Sequence, residues 1–375
     1  MHLALPGSNI HKLYLANTLF SFAYAFFTLF IGILIIQKLY WLDLHVAVTI
    51  AALGYAAKYL TRLAFIPLIS ILSEKWGLRT MYIVGLSLNA LTLILFKQEY
   101  YISGLVVMGL GNDFYWYPFY FTMLEAKDDH QRDSGLGNLM GLERLVTVVA
   151  PLISAWLISI GSNQFFTIAL GFMFLAIIVA FKMPNHKASG PLHFDHLKFI
   201  FKKYKRDAIG TIGYSIENIT QLVSWPIILY LTLNNVWDVA IIYATAMVVS
   251  AVIDFTLGRK LDDRLTEKIQ HSSGIFVCLI WFSRALLRSA FTLGISQVIY
   301  IILIGIRDLP YMSTILDHAS HEYQAAYITF RQATHVTGML IGILIFAVIA
   351  YFQLPYWYIF IVAGTSSLAV SVMKS

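Results

Sequence analysis

Charge is scarce in this chain: 12% of its 375 residues are Asp, Glu, Lys or Arg, where a soluble domain carries about 25%. So little polar surface excludes a fold that faces water on every side. Cysteine is nearly missing, since Cys278 stands alone within an apolar run, and this excludes an internal disulfide framework and a thiolate metal cluster. There is no glycine-rich phosphate loop, which argues against ATP as an energy source. No nucleophile and base stand at a spacing that suggests an enzyme, and no cofactor is implied. The histidines lie mostly in loops, and His318 and His321 beside Asp317 are too thin a set for a metal site.

What the chain has is long apolar runs. Hydrophobic residues make up 59% and the mean hydropathy is +0.72. A helix needs roughly 20 apolar residues to cross a hydrocarbon core. Runs of that kind fall at 11–38, 46–72, 80–97, 101–125, 138–160, 163–181, 207–232, 237–257, 272–292, 295–317, 325–350 and 354–373. They are apolar all round rather than alternating, so they predict an all-α polytopic membrane protein with twelve transmembrane helices. The first run is too long for a signal-peptide core and reads as a retained span. The formal charge of +6 forms no continuous stripe for nucleic acid, because the basic residues sit in short breaks between runs. Nearly all fall on one side, with Lys38 and Lys97 on the other. The positive-inside rule then places both termini in the cytoplasm of a cell whose inner or plasma membrane holds the chain. The one sizeable polar segment, 182–206, divides the chain into halves at 1–181 and 207–375. Its Leu197, Phe199, Ile200 and Phe201 among lysines suit a helix lying on an anionic leaflet, and a plain solvated linker suits them equally.

Two loops occupy equivalent places in those halves. Ser70-Ile71-Leu72-Ser73-Glu74-Lys75-Trp76-Gly77-Leu78-Arg79 follows span two, and Gly258-Arg259-Lys260-Leu261-Asp262-Asp263-Arg264 follows span eight. Both resemble the loop signature of the major facilitator superfamily: a glycine, an acid four residues on, then basic residues around a second glycine. Ser70 replaces the first glycine in one copy, and Leu265 replaces the second in the other. Span four ends Pro118 to Glu125 and span ten ends Pro310 to Asp317, each with the acid seven residues after the proline. The resemblance implies two pseudo-symmetric six-helix bundles and a cytoplasmic gate. Glu74, Lys75, Gly77, Arg79, Glu125, Arg132, Arg144, Gly258, Asp262, Arg264 and Arg331 are its expected members, with carboxylate–guanidinium pairs that form in one gate state and part in the other. In span five, Ala150-Pro151-Leu152-Ile153-Ser154-Ala155 resembles a loosened Gly-Pro-x-x-Gly-Gly signature of proton-coupled exporters in that superfamily. Leu105 stands where those exporters carry an arginine four residues before Gly109.

Ionised groups in mid-membrane are expensive and mark pathways. At 1.5 Å per residue, Lys58 lies about 21 Å from its basic helix end, Asp113 about 18 Å, Glu217 about 15 Å, and Arg307 with Asp308 about 14 Å. The resemblance implies that spans one, four, seven and ten line a central cavity, which Asp113, Glu217, Arg307 and Asp308 would reach. Asp113, Glu217, Asp308 and His335 are the candidates for proton coupling. Lys58 and Arg62 share a helix face and suit an anionic group. Tyr117, Tyr120, Asn218 and Arg307 complete the expected substrate contacts, while Trp116 and Phe119 are expected to point to neighbouring helices or lipid. Arg284 and Arg288 share a face of span nine without an assigned role. The expectation is a secondary transporter that acts as a monomer by alternating access. It would move a small organic solute with an anionic or polar group, together with protons. A multidrug exporter of the same fold and a non-transporting sensor or assembly protein are the alternatives.

Overall fold

The structure is a computed structural model, and it describes residues 7–124, 148–185, 187, 193–257, 263–321 and 323–372. Those residues form helices and connecting turns with no strand among them. In the first half run α1 (Gly7–Ala25), α2 (Ile31–Lys38), α3 (Leu44–Trp76), α4 (Leu78–Lys97), α5 (Tyr101–Leu124), α6 (Val148–Ser159) and α7 (Gln164–Phe181). Then follow α8 (Phe194–Lys203), α9 (Lys205–Ile219), α10 (Trp225–Leu233), α11 (Val236–Leu257), α12 (Asp263–Arg284), α13 (Ala290–His321), α14 (Gln324–Tyr351) and α15 (Tyr358–Ser367). As far as its residues are described, each of the twelve expected spans coincides with one of these helices or with a helix pair; residues 138–147 of the fifth lie outside the described residues.

Five helices are long and apolar enough to cross a membrane by length and composition alone: α3, α4, α7, α13 as far as Asp308, and α14. Others are shorter, and two spans are broken. The first breaks into turns over residues 26–30, between α1 and α2. The seventh passes from α9 through a π-helical segment, Thr220–Ser224, into α10. Pro226 contributes to that second break, because proline has no N–H to donate to the Gln221 carbonyl, its partner five residues back in the π pattern. The Tyr243 hydroxyl donates instead to the carbonyl of Gln221, at 2.9 Å.

Elsewhere the local chemistry is ordinary. Asp43 caps α3, its carboxylate accepting from the His45 amide at 2.8 Å. Gly77 separates α3 from α4 at φ +84°, a conformation L side chains rarely adopt. At 33 residues, α3 is about 50 Å long, longer than the roughly 30 Å hydrocarbon core. Its last turns therefore project beyond the core on the lysine- and arginine-rich side.

Packing inside the first half joins α3 to α5, α4 to α5, and α7 to α1 and α4; in the second, α9 meets α14, α12 meets α13, and α11 meets α13. Between the halves α3 lies along α14, α2 touches α10, and α5 touches α13 and α14. Close approach depends on small residues: a Cβ on Gly109 would lie 2.5 Å from the Lys58 carbonyl, so only glycine lets α5 sit this near α3. Aliphatic and aromatic side chains on the outer surface, Phe174, Ile178, Val252, Phe276 and Leu279 among them, are more than half exposed. An apolar exterior of this extent is the surface a bilayer covers.

The segment between the halves contains α8, which packs on α9 and α14. Ile200 is buried among Tyr311, Ile315, Tyr327 and Phe330, while Phe199 and Phe201 face outward beside Lys198, Lys202 and Lys203. One face of this short helix is therefore committed to the protein.

Candidate functional site

A cavity of about 260 Å³ lies between the halves, walled by the first, second, fourth, seventh, tenth and eleventh spans. Its charge is one-sided. Lys58, Arg62 and Arg331 line it, each at least 94% buried, and no carboxylate lines it among the described residues. His335, Asn218, Gln332 and Tyr120 add polar contacts to the wall.

Arg62 is the cation with an acid behind it. Its Nε donates to Asp113 Oδ1 at 2.7 Å, and its Nη2 reaches Gln332 Oε1 at 3.5 Å, across the boundary between the halves. Asp113 sits just outside the lining, and its second oxygen, Oδ2, has no hydrogen-bond partner. Lys58, one turn along α3, has no ion pair among the described residues; its Nζ reaches the Tyr24 hydroxyl, at 3.4 Å, and lies 5.2 Å from the centre of the Tyr59 ring. Asn112 also donates to that hydroxyl, at 3.2 Å. Arg331, expected at the gate, is a cavity residue whose guanidinium lies 4.5 Å above the Tyr120 ring. Its Nη2 faces the Met312 sulfur at 3.8 Å, and its Nε has no partner. His335 lines the same wall, with Nδ1 2.6 Å from the Ser215 hydroxyl.

The other mid-membrane charges form a separate group behind the wall. Glu217 is fully buried; Arg307 Nη1 donates to its Oε2 at 2.5 Å, and Tyr300 and Trp281 donate to its Oε1 at 2.6 and 3.5 Å. Arg307 Nη2 reaches Asp308 Oδ1 at 3.5 Å. The cavity residue Tyr214 screens this group, its ring 5.1 Å from the Arg307 guanidinium and its hydroxyl 3.4 Å from Asp308 Oδ2. The charges gathered at one level in the sequence thus resolve into two sets, Lys58–Arg62–Asp113 and Glu217–Arg307–Asp308. Arg307, expected to touch substrate, does not line the cavity.

Two aromatic assignments change. Tyr117 turns from the cavity to the α3 side, 2.7 Å from the Ser70 hydroxyl, in a cluster with Ile69, Phe121 and Ile328. Trp116, expected to face neighbours or lipid, lines the cavity with Tyr120. The 100° step between consecutive helical residues, with Pro118 inside α5, exchanges the two faces. Tyr24, Tyr214 and Gln332 were not singled out in the sequence. Gln332 carried a signal, an amide beside a charge in an otherwise apolar run.

Of the expected gate, Glu125, Arg132, Arg144, Gly258 and Asp262 lie outside the described residues, and for Arg264 only its place in α12 is described. Lys75 is exposed at the end of α3, with Glu74 beside it. Arg79 bonds to the start of the segment between the halves: its amide donates to Asn185 Oδ1 at 3.2 Å and its guanidinium to the Met183 carbonyl at 3.2 Å. Asn185 also donates to the Trp76 carbonyl, which ties the loop at Gly77 to the end of α7. On the opposite face, Gln37 donates to the Tyr230 hydroxyl at 3.0 Å, joining α2 to α10. Arg284 occupies a cage of Trp225, Trp281 and Tyr300, 4.1–4.6 Å from their ring centres, and donates to Gln221 and Gln297.

A sequence model of the Major Facilitator Superfamily matches residues 13–328. No curated protein matches the chain. The fold is similar to that of the human organic anion transporter MFSD10 (TETRAN), with a TM-score of 0.78 at 11% identity over 98% of this chain and 100% of that one. It is also similar to a structure from the proton dependent oligopeptide transporters (0.71, 12% identity, 97% and 96% covered). The E. coli fucose:proton symporter FucP is a third such structure (0.68, 12%, 97% of each). At these identities the solved structures establish the fold and nothing finer. The family match over most of the chain goes further: this protein belongs to the Major Facilitator Superfamily, as a multi-pass membrane transporter of small solutes and not an enzyme.

Proposed function

We propose that the protein carries a small organic anion together with a proton. The observation that bears this reading is the charge of the cavity wall: among the described residues Lys58 and Arg331 have no acid partner, and Arg62 shares only Asp113. Buried charge without a counter-charge is costly, so the wall is completed by an anion of the solute. That the similar fold of MFSD10 is described as an organic anion transporter agrees with this choice of substrate.

Coupling follows from competition for Arg62. Ionised Asp113 holds the guanidinium; protonated Asp113 releases it to the solute. Lower pH then strengthens anion binding, and by reciprocity a bound anion favours the protonated acid. Proton and anion move in the same direction. Asp113 suits this role better than Glu217, since both oxygens of Glu217 are occupied by Arg307, Tyr300 and Trp281. The two six-span halves, 1–181 and 207–375 joined by 182–206, rock about the cavity. The basic loops and both termini lie on the cytoplasmic side.

The test is uptake of labelled hexanoate and benzoate into proteoliposomes under an imposed pH gradient. Acid outside drives accumulation by the native protein, Lys58→Gln loses it, and Asp113→Asn retains anion exchange while losing the response to the gradient. Transport unaffected by both Asp113→Asn and Glu217→Gln removes these carboxylates from the mechanism. A multidrug exporter is the second reading, favoured by Pro151 of the span-five signature, which lines an apolar chamber. Dye extrusion from whole cells separates the two.

A further inference from the structure

A second chamber of about 270 Å³ adjoins the charged cavity, bounded by the first, fourth, fifth, seventh and eighth spans. Tyr24, Thr28, Trp116 and Leu222 line both spaces, so the two share a wall. Their chemistry differs. The remaining lining of the second chamber is Phe20, Leu29, Ala25, Pro151 and Met247, with Ser21 and Tyr243 as its polar members. The hydroxyl of Tyr243 is directed at the Gln221 carbonyl of the π segment, 2.9 Å away. No ionisable side chain other than tyrosine lines the chamber among the described residues.

Resting on the anion reading above, we propose that the transported solute is an amphipathic anion, its carboxylate or equivalent held by Lys58, Arg62 and Arg331 and its apolar portion lodged in this second chamber. The shared wall suits such a molecule. Trp116 and Tyr24 present aromatic faces toward both spaces, the Tyr24 hydroxyl takes the Lys58 ammonium on the polar side, and Leu222 offers a purely apolar surface between them. A compact hydrophilic anion such as lactate leaves the apolar chamber unused; a medium-chain carboxylate or an aryl carboxylate fills it. Transfer of each methylene out of water strengthens binding about fourfold. Affinity therefore climbs with chain length until the chamber is full, while the charged end contributes the same at every length.

The experiment is a calorimetric titration of the full-length protein in detergent with acetate, butyrate, hexanoate and octanoate, and with octanol and octylamine as matched tails. The expected result is a dissociation constant that falls about fourfold per added methylene and then levels off, with octanol and octylamine binding far more weakly than octanoate. Met247→Trp, which fills the chamber, flattens the series; Leu29→Trp repeats the test from the first span should that variant fold poorly. Carboxylates that bind equally at all lengths overturn the chamber proposal and leave the anion reading standing. Octanol or octylamine binding as tightly as octanoate overturns the anion reading while leaving the apolar chamber. The length series needs no variant, so loss of folding in a mutant cannot mask either result.

Discussion

Asp113 and Glu217 are both buried carboxylates paired with an arginine, yet they are built for different work. Every oxygen of Glu217 has a donor, three in all from two helices. Removing its charge leaves Arg307 with only the longer contact to Asp308, so Glu217→Gln destabilises by up to about 3–5 kcal/mol, the usual cost of breaking one side of a buried ion pair. Denaturant unfolding in detergent measures it. Asp113 holds Arg62 by a single oxygen, with Oδ2 unpartnered; its neutral form gives up one contact, which is what a group that cycles requires. Gly77 belongs to the same scale. A Cβ there would lie 2.4 Å from Asn185 Oδ1 at a φ of +84°, so Gly77→Ala costs more than about 1 kcal/mol and loosens the loop from α7. The same unfolding assay reads this, and Gly109→Ala, which would press α5 away from the Lys58 carbonyl, reduces transport in the hexanoate assay.

Among the elements, the two broken spans are those that face each other across the cavity: Thr28 comes from one break, with Ile31 just after it, and Leu222 and Val223 from the other. Half-helices at such points are where transporters of this kind build their sites. The π segment is held open by one side chain, so Tyr243→Phe leaves the Gln221 carbonyl without its donor and costs about 1–3 kcal/mol, with a matching loss of octanoate affinity on titration. The spans themselves were legible in the sequence, because hydrocarbon demands about 20 apolar residues whatever their order. The depth of Lys58, Asp113 and Glu217 was legible for the same reason. Which charge meets which was not. Pairing depends on how far each helix is rotated, and a single sequence fixes no rotation: Asp113 turned to Arg62, Trp116 and Tyr117 exchanged faces, and Arg331 moved from the expected gate to the cavity wall. The break over residues 26–30 carries no proline, so nothing in the apolar pattern marked it.

At the scale of the whole molecule, α3 lies along α14 across the two halves, and among the described elements α2 also meets α10, and α5 meets α13 and α14. A bridge at Gln37 and Tyr230 joins the halves on one face. In a Cys278→Ser background, where no native thiol remains, Gln37→Cys with Tyr230→Cys joined by a dithiol-specific linker stops hexanoate flux, and cleaving the linker restores it. Arg79, tied to Asn185 and Met183, binds the start of α4 to the segment that joins the halves. The interruption of both facing spans has a last consequence. The segments that carry Gln37 and Tyr230 are joined to the rest of their spans by turns in one case and by a π-helical segment in the other, so the two tips can lean together over a captured solute before the two large bodies tilt. A carrier with such jointed tips can pass through a moment sealed at both ends.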